Sequence, residues 1–142
     1  MAIFRTPLTV RYVETDRMGI VHHSHYFAWF EVGRTDFIAS SGLHYRQAEE
    51  QGFLMPLIDC GCRFIQAAHY EDPLIIVTRV DEIRFARIAF HYEVFRDDRL
   101  LADGFTRHAF VNEKLQPINV KRTHPEIWDI MHRLWKDEIP SA

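Results

Sequence analysis

Cysteine is nearly absent from this sequence. Cys60 and Cys62 are the only two, and one residue separates them. On a strand they would point the same way, where a bridge between them is strained. They read as reduced core thiols, which fits a cytoplasmic protein. Long runs of one charge are missing too. The net charge is -3, and no basic stretch supplies the face that a nucleic-acid partner needs. No apolar stretch approaches the roughly 20 residues of a membrane span. Met1 to Thr9 lacks the charged-then-apolar order of a signal peptide. No repeat, low-complexity tract or linker interrupts the chain, so residues 1–142 read as a single domain.

What is present is a core. Hydrophobic residues make up 47% and charged residues 26% of the chain, the balance of a folded globular protein rather than a disordered one. The length allows a real core without disulfide or metal staples. Eleven phenylalanines point to a tight aromatic core or an apolar groove.

Periodicity divides the chain into elements. Leu8 to Glu14 reads as a strand from its strand formers Thr9, Val10, Tyr12 and Val13. A polar turn, Thr15-Asp16-Arg17-Met18-Gly19, follows. From His23 the period becomes helical: Tyr26, Phe30, Gly33 and Phe37 share one face. Trp29, Val32 and Ile38 widen it, so the helix should be buried over much of its girth. Gly42 is a natural stop. A short helix from His44 to Gln51 comes next. Ile58, Cys60, Cys62 and Phe64 then alternate as the inner face of a second strand. Leu74–Ile83, Ile88–Val94 and Leu101–Val111 are further strands, with Asp97-Asp98 at a hairpin turn. The last element is a helix. Thr123 and Glu126 suggest a capping box, with Pro125 in the first turn. Its apolar face is Ile127, Ile130, Met131, Leu134 and Trp135. The order predicts an α+β fold with one antiparallel five-stranded sheet curled around one long helix. Such a sheet leaves an edge, and edges are usually paired or covered, so a homo-oligomer is expected.

The stretch Tyr12-Val13-Glu14-Thr15-Asp16-Arg17-Met18-Gly19-Ile20-Val21-His22-His23-Ser24-His25-Tyr26 resembles the signature of the hot-dog-fold thioesterases, the 4-hydroxybenzoyl-CoA thioesterase and acyl-CoA thioester hydrolase group. Glu31 and Arg34 also fit that family's helix. Pro56 to Phe64 and Tyr70-Glu71-Asp72 resemble its second strand and the following turn. The resemblance implies a hot-dog fold and hydrolysis of an acyl-CoA, or of an acyl carrier protein thioester, without metal or other cofactor. It implies Asp16 as nucleophile or general base, and the His23 backbone N–H as the group that polarises the carbonyl. Gly19, Val21, His22 and Tyr26 would then contact substrate. A homodimer or homotetramer is implied as well, with clefts between subunits that Asp59, Arg63 and His69 of a neighbour could reach. Where the family often has Tyr at one of two ring positions, this chain has His22 and His23.

The chemistry is consistent with that pattern. A thioester carbonyl needs a carboxylate, to attack or to activate water, and a donor for the developing oxyanion. Asp16 can be the first. The amides at the helix start near His23 can be the second, because they lack intrahelical partners and sit at the positive end of the macrodipole. Gly19 lets the backbone turn sharply. Read without the resemblance, Asp16 is more simply a turn cap. His22, His23 and His25 invite a metal, but their spacing does not aim three rings at one point, and nothing completes a tetrahedral set. Cys62 alternates with apolar neighbours and reads as core rather than nucleophile. Glu31 and Arg34 are spaced to pair with each other or to cap the sheet. No G-x-S-x-G occurs, which argues against a serine hydrolase. Arg84, Arg87, Lys121 and Arg122 are candidates for the coenzyme's phosphates. Two other functions share this sequence reading: a hot-dog dehydratase acting on 3-hydroxyacyl thioesters, and a non-catalytic acyl-thioester-binding module.

Overall fold

The structure is a computed structural model that describes residues 2–136. Five strands form one antiparallel sheet: β1 (Phe4–Thr9), β2 (Leu57–Phe64), β3 (Pro73–Arg84), β4 (Arg87–Arg96) and β5 (Arg99–Ala109). Their spatial order is β1-β3-β4-β5-β2, so β1 and β2 are the edges. The long helix α1 (Ser24–Ser40) lies in the concave face, and α2 (Tyr45–Glu50) follows it. Two helices, α3 (Val120–Thr123) and α4 (Pro125–Lys136), end the described chain. The expected α+β sheet around a central helix is therefore present.

The packing explains the sequence pattern. Alternate residues of the central strands, Leu74, Ile76 and Val80 on β3 and Ile88, Phe90, Tyr92 and Val94 on β4, are buried against α1 and its neighbours. Phe30 of α1 lies flat on Tyr92, with ring centroids 4.4 Å apart. The helix can approach this closely because two positions lack side chains. A Cβ at Gly33 would meet Thr78 Oγ1 at 2.6 Å, and one at Gly104 would meet the Gly61 carbonyl at 2.6 Å and Phe30 at 2.7 Å. A buried polar chain ties helix to sheet. Arg34 donates to the Tyr92 hydroxyl at 3.0 Å, which shares a hydrogen bond with Thr106 at 2.6 Å. Thr106 in turn bonds His108 at 2.9 Å.

Four expectations need correction. The first strand is Phe4–Thr9, not Leu8–Glu14, and Tyr12–Glu14 form a single 3-10 turn. The Glu14 carboxylate accepts the Arg11 N–H at 2.7 Å and curls the chain out of the extended form. Cys60 and Cys62 are not core thiols: Cys60 is exposed and Cys62 half-buried, because β2 is an edge strand covered poorly on both faces. Arg34 makes no ion pair with Glu31 among the described residues, and turns inward to Tyr92 instead. The capping box does not form. Thr123 ends α3, its hydroxyl donating to the Asn119 carbonyl, and the Asn119 side chain caps α3. Pro125 does open α4 as expected, and Trp128 joins the buried face of that helix.

Candidate active site

The loop between the 3-10 turn and α1 folds back on itself as a narrow ladder. Thr15 bridges Val21, and the Asp16 N–H donates to the Ile20 carbonyl at 2.9 Å. Gly19, at φ 79°, closes the turn in a conformation that disfavours a side chain. Nothing lies within 4 Å of where its Cβ would be, so its part is conformational rather than one of close approach. The Asp16 carboxylate is half-exposed, and its Oδ1 accepts the Met18 N–H at 2.8 Å. That bond engages one oxygen, and the other accepts no hydrogen bond among the described residues.

Beside this loop opens a cleft of about 240 Å³. Asp16, Met18, Ile20 and Val21 of the loop form one wall, and His23 and Tyr26 at the start of α1 form another. The segment Phe64 to Ala67, where the chain leaves β2, closes the third side. The cleft thus brings together a carboxylate, a helix N-terminus and apolar walls. The His23 N–H makes no hydrogen bond among the described residues, while its neighbours are engaged: the His22 N–H to the Glu14 carbonyl at 3.0 Å and the Val21 N–H to the Ala68 carbonyl at 2.9 Å. His23 itself has φ -56° and leads directly into α1. A donor in this position, at the positive end of a 17-residue helix, suits a developing oxyanion.

Tyr26 is buried against Trp29 and Phe64, with ring centroids 4.7 and 5.0 Å away. Burial, aided by Cys62 and Asp72 and opposed by the Ala68 amide, pushes its phenol up to about 12, so it is a neutral wall of the cleft. Burial and Asp103 likewise push the Cys62 thiol up to about 11, which suppresses a thiolate.

Not every expected residue gathers here. His22 is exposed and outside the cleft lining; its ring lies 4.1 Å from that of His23, and its Nδ1 bonds the Ser24 hydroxyl at 2.8 Å. Among the described residues, no group of three or more His, Cys, Asp or Glu is placed to hold a metal. Arg84 and Arg87 lie in a different cleft, with Glu82, Ala89 and Arg107. Arg84 pairs there with Glu82 at 2.6 Å. That cleft is at the far end of β3 from Pro73, roughly 35 Å along the strand, so one subunit does not bring these arginines to Asp16. Lys121 joins that end of the molecule, over the Phe85 ring. Asp59 pairs with Arg107, Arg63 with Asp103, and His69 with Asp72.

Two contributors escaped the sequence reading. The 65–67 segment carries no motif and is placed only by the end of β2. Glu14 stands inside the quoted signature without a role assigned to it. It is 3% exposed and accepts the Trp29 indole N–H at 2.8 Å. Burial works to raise its pKa, but the Arg11 amide, the Trp29 indole and the Arg11 guanidinium outweigh it and hold the carboxyl below its ordinary value.

With five antiparallel strands wrapped around one long helix, the chain has the architecture of a hot-dog thioesterase. Residues 10–130 match the Thioesterase-like superfamily. The protein belongs to that family and is an enzyme of the thioester hydrolase class. A solved DHNA-CoA thioesterase from Staphylococcus aureus superposes with a TM-score of 0.90 at 30% identity, covering 94% of this chain and 91% of that one. A Thermus thermophilus protein described as hypothetical superposes at 0.86 with 35% identity, covering 93% and 97%. The acyl-CoA thioesterase YbgC of Haemophilus influenzae is 29% identical over 119 residues, which is 81% of this chain and 86% of the relative. No helix among the described residues is long and apolar enough to cross a membrane.

Proposed function

We propose that the protein hydrolyses an acyl-coenzyme A thioester to a free acid and coenzyme A, with Asp16 as the catalytic carboxylate. The observation that carries this reading is one cleft that unites Asp16 with the unengaged His23 N–H. The substrate carbonyl oxygen lies on that N–H. Asp16 either attacks the carbonyl carbon, giving a mixed anhydride that water then cleaves, or takes a proton from the attacking water. In both routes the carbon–sulfur bond breaks and the thiolate leaves to be protonated. Gly19 shapes the loop, and Val21 and Tyr26 wall the acyl group. The names of two relatives, an acyl-CoA thioesterase and a DHNA-CoA thioesterase, favour coenzyme A over acyl carrier protein as the carrier. The reading takes the enzyme to work in the cytoplasm, where its thiols stay reduced.

The working form in this reading is a homodimer or a higher homo-oligomer. β1 is a short edge blunted by Pro7, whereas β2 is an eight-residue edge with no proline. Leu57, Ile58 and Phe64 on it are each about half exposed, at 53%, 55% and 49%. Antiparallel pairing of two β2 strands would bring the partner's Leu57–Ile58 end against Phe64, at the open side of the cleft. Arg84 and Arg87 lie too far from Asp16 to touch substrate inside one subunit, so any contact they make with the coenzyme's phosphates is made across the subunit boundary.

A thiol-release assay over a panel of aromatic, short-chain and long-chain acyl-CoAs tests the function. Enoyl-CoA hydration and direct acyl-CoA binding are measured beside it. Hydrolysis of at least one panel member is expected. Binding without turnover, or hydration without hydrolysis, would overturn the reading.

A further inference from the structure

We propose that Glu14 is the positioning residue of this site: it sets the spacing between the Asp16 loop and the start of α1, and thereby between the catalytic carboxylate and the oxyanion donor. The inference rests on the assignment of Asp16 and the His23 N–H made above.

Five bonds meet at this one buried residue, the first its own N–H donating to the Arg11 carbonyl at 3.0 Å. Its Oε2 accepts the Trp29 indole N–H at 2.8 Å, which anchors it to the second turn of α1. Its Oε1 accepts the Arg11 N–H at 2.7 Å, which closes the 3-10 turn ahead of the loop. The Arg11 guanidinium reaches Oε2 at 3.4 Å. Its own carbonyl accepts the His22 N–H at 3.0 Å, at the far foot of the loop. Glu14 and His22 therefore form the base of the ladder on which Asp16 stands, while the side chain of Glu14 grips the helix that begins one residue after His23.

A buried carboxylate is a costly way to hold a loop, and a neutral side chain cannot replace it. The three donors that face it are all N–H groups, and the buried Trp29 indole and the Arg11 backbone amide take their acceptors from it. Glutamine would turn one of its ends into a fourth donor among them. The shape of Glu14 is thus matched to acceptor-only chemistry. Its effect on the reaction is geometric, since displacements near 1 Å at a reacting centre cost about 100-fold in rate. Glu14 does not line the cleft, so substrate binding is not its task.

Glu14→Gln and Trp29→Phe are compared with wild type and with Asp16→Asn as oligomeric full-length proteins. Trp29→Phe removes the helix anchor alone and keeps an aromatic ring in the core, so it decides the question if Glu14→Gln fails to fold. The expected result is a fall in kcat of about tenfold to 100-fold for Glu14→Gln, with KM held within about threefold. Trp29→Phe should lower kcat in the same direction by less, and the double variant should lose less than the product of the two single losses. Amide exchange gives a second readout: the Arg11 and His22 amides should exchange faster in Glu14→Gln while those of β3 and β4 stay protected. Wild-type kcat per folded molecule in Glu14→Gln, or in Trp29→Phe if Glu14→Gln does not fold, would overturn the proposal, and so would a rise in exchange spread evenly over the sheet. Failure here is separable from failure of the catalytic assignment. An inactive Asp16→Asn beside a fully active Glu14→Gln removes Glu14 alone, whereas a fully active Asp16→Asn removes both.

Discussion

Replacing His23 by proline tests the oxyanion donor without disturbing much else. Proline has no N–H, and its ring holds φ near -65°. His23 already sits at φ -56° and ψ -29°, the helical values that proline adopts at the start of a helix. Its N–H makes no hydrogen bond among the described residues, so no native bond is lost. The fold should therefore lose little, and a melting temperature within about 2 °C of wild type corresponds to under 1 kcal/mol for a chain of this size. Catalysis should lose a great deal. Removing one oxyanion donor costs about 100- to 1000-fold in kcat, or roughly 3–4 kcal/mol. The control is His23→Ala, which deletes the imidazole but keeps the backbone donor. It should retain kcat within about tenfold, under roughly 1.4 kcal/mol of barrier. Steady-state kinetics on the best acyl-CoA, with melting of all three proteins, separate backbone from side chain. A folded His23→Pro variant with near-wild-type kcat would refute the role of the amide. If His23→Ala fell as far as His23→Pro, the imidazole would be the catalytic group instead.

Asp16→Asn keeps the acceptor for the Met18 N–H and should fold normally, yet lose at least about 100-fold in kcat/KM, close to 2.7 kcal/mol; activity within about threefold of wild type would remove Asp16 from the mechanism. Dialysis against a strong chelator should leave turnover unchanged, and a loss restored by zinc or magnesium would instead make His22, His23 and His25 a metal site. Dilution below the subunit dissociation constant should lower specific activity together with the particle size seen by light scattering, and a fully active monomer would refute the shared cleft. Stability should fall as pH drops from about 6.5 toward 4. Burial first, then the Arg34 charge, lowers the His108 pKa to about 4 despite its bond to the Met55 carbonyl. The unfolded chain thus binds that proton earlier, and the contribution present above pH 6.5 is lost across this window, by about 2–3 kcal/mol at most. His108→Asn should flatten that part of the stability profile measured by denaturant titration; an unchanged slope would assign the loss to other groups.

Local patterns in the sequence determined a good deal. The spacing of Tyr26, Phe30, Gly33 and Phe37 specified a buried helix, because only one helical face can carry them all. Alternation in β3 and β4 specified two strands with a buried side. The Asp16 to Val21 signature was legible as a turn entering a helix, since Gly19 and the polar residues around it determine local backbone shape. Other features depended on neighbours that no local window contains. Whether Cys60 and Cys62 are covered depends on β2 being an edge, and strand order is decided by long-range pairing. Tyr12 and Val13 favour a strand by propensity, but the Glu14 carboxylate captures the Arg11 amide and makes a turn. Arg34 could have met Glu31 on its own helix, and found Tyr92 because the sheet curls over it. Arg84 and Arg87 fell at the distant end of β3, a separation set by the length of the strand. The cleft itself needed the exit from β2 to pass beside the start of α1, and that meeting exists only once the sheet has wrapped the helix.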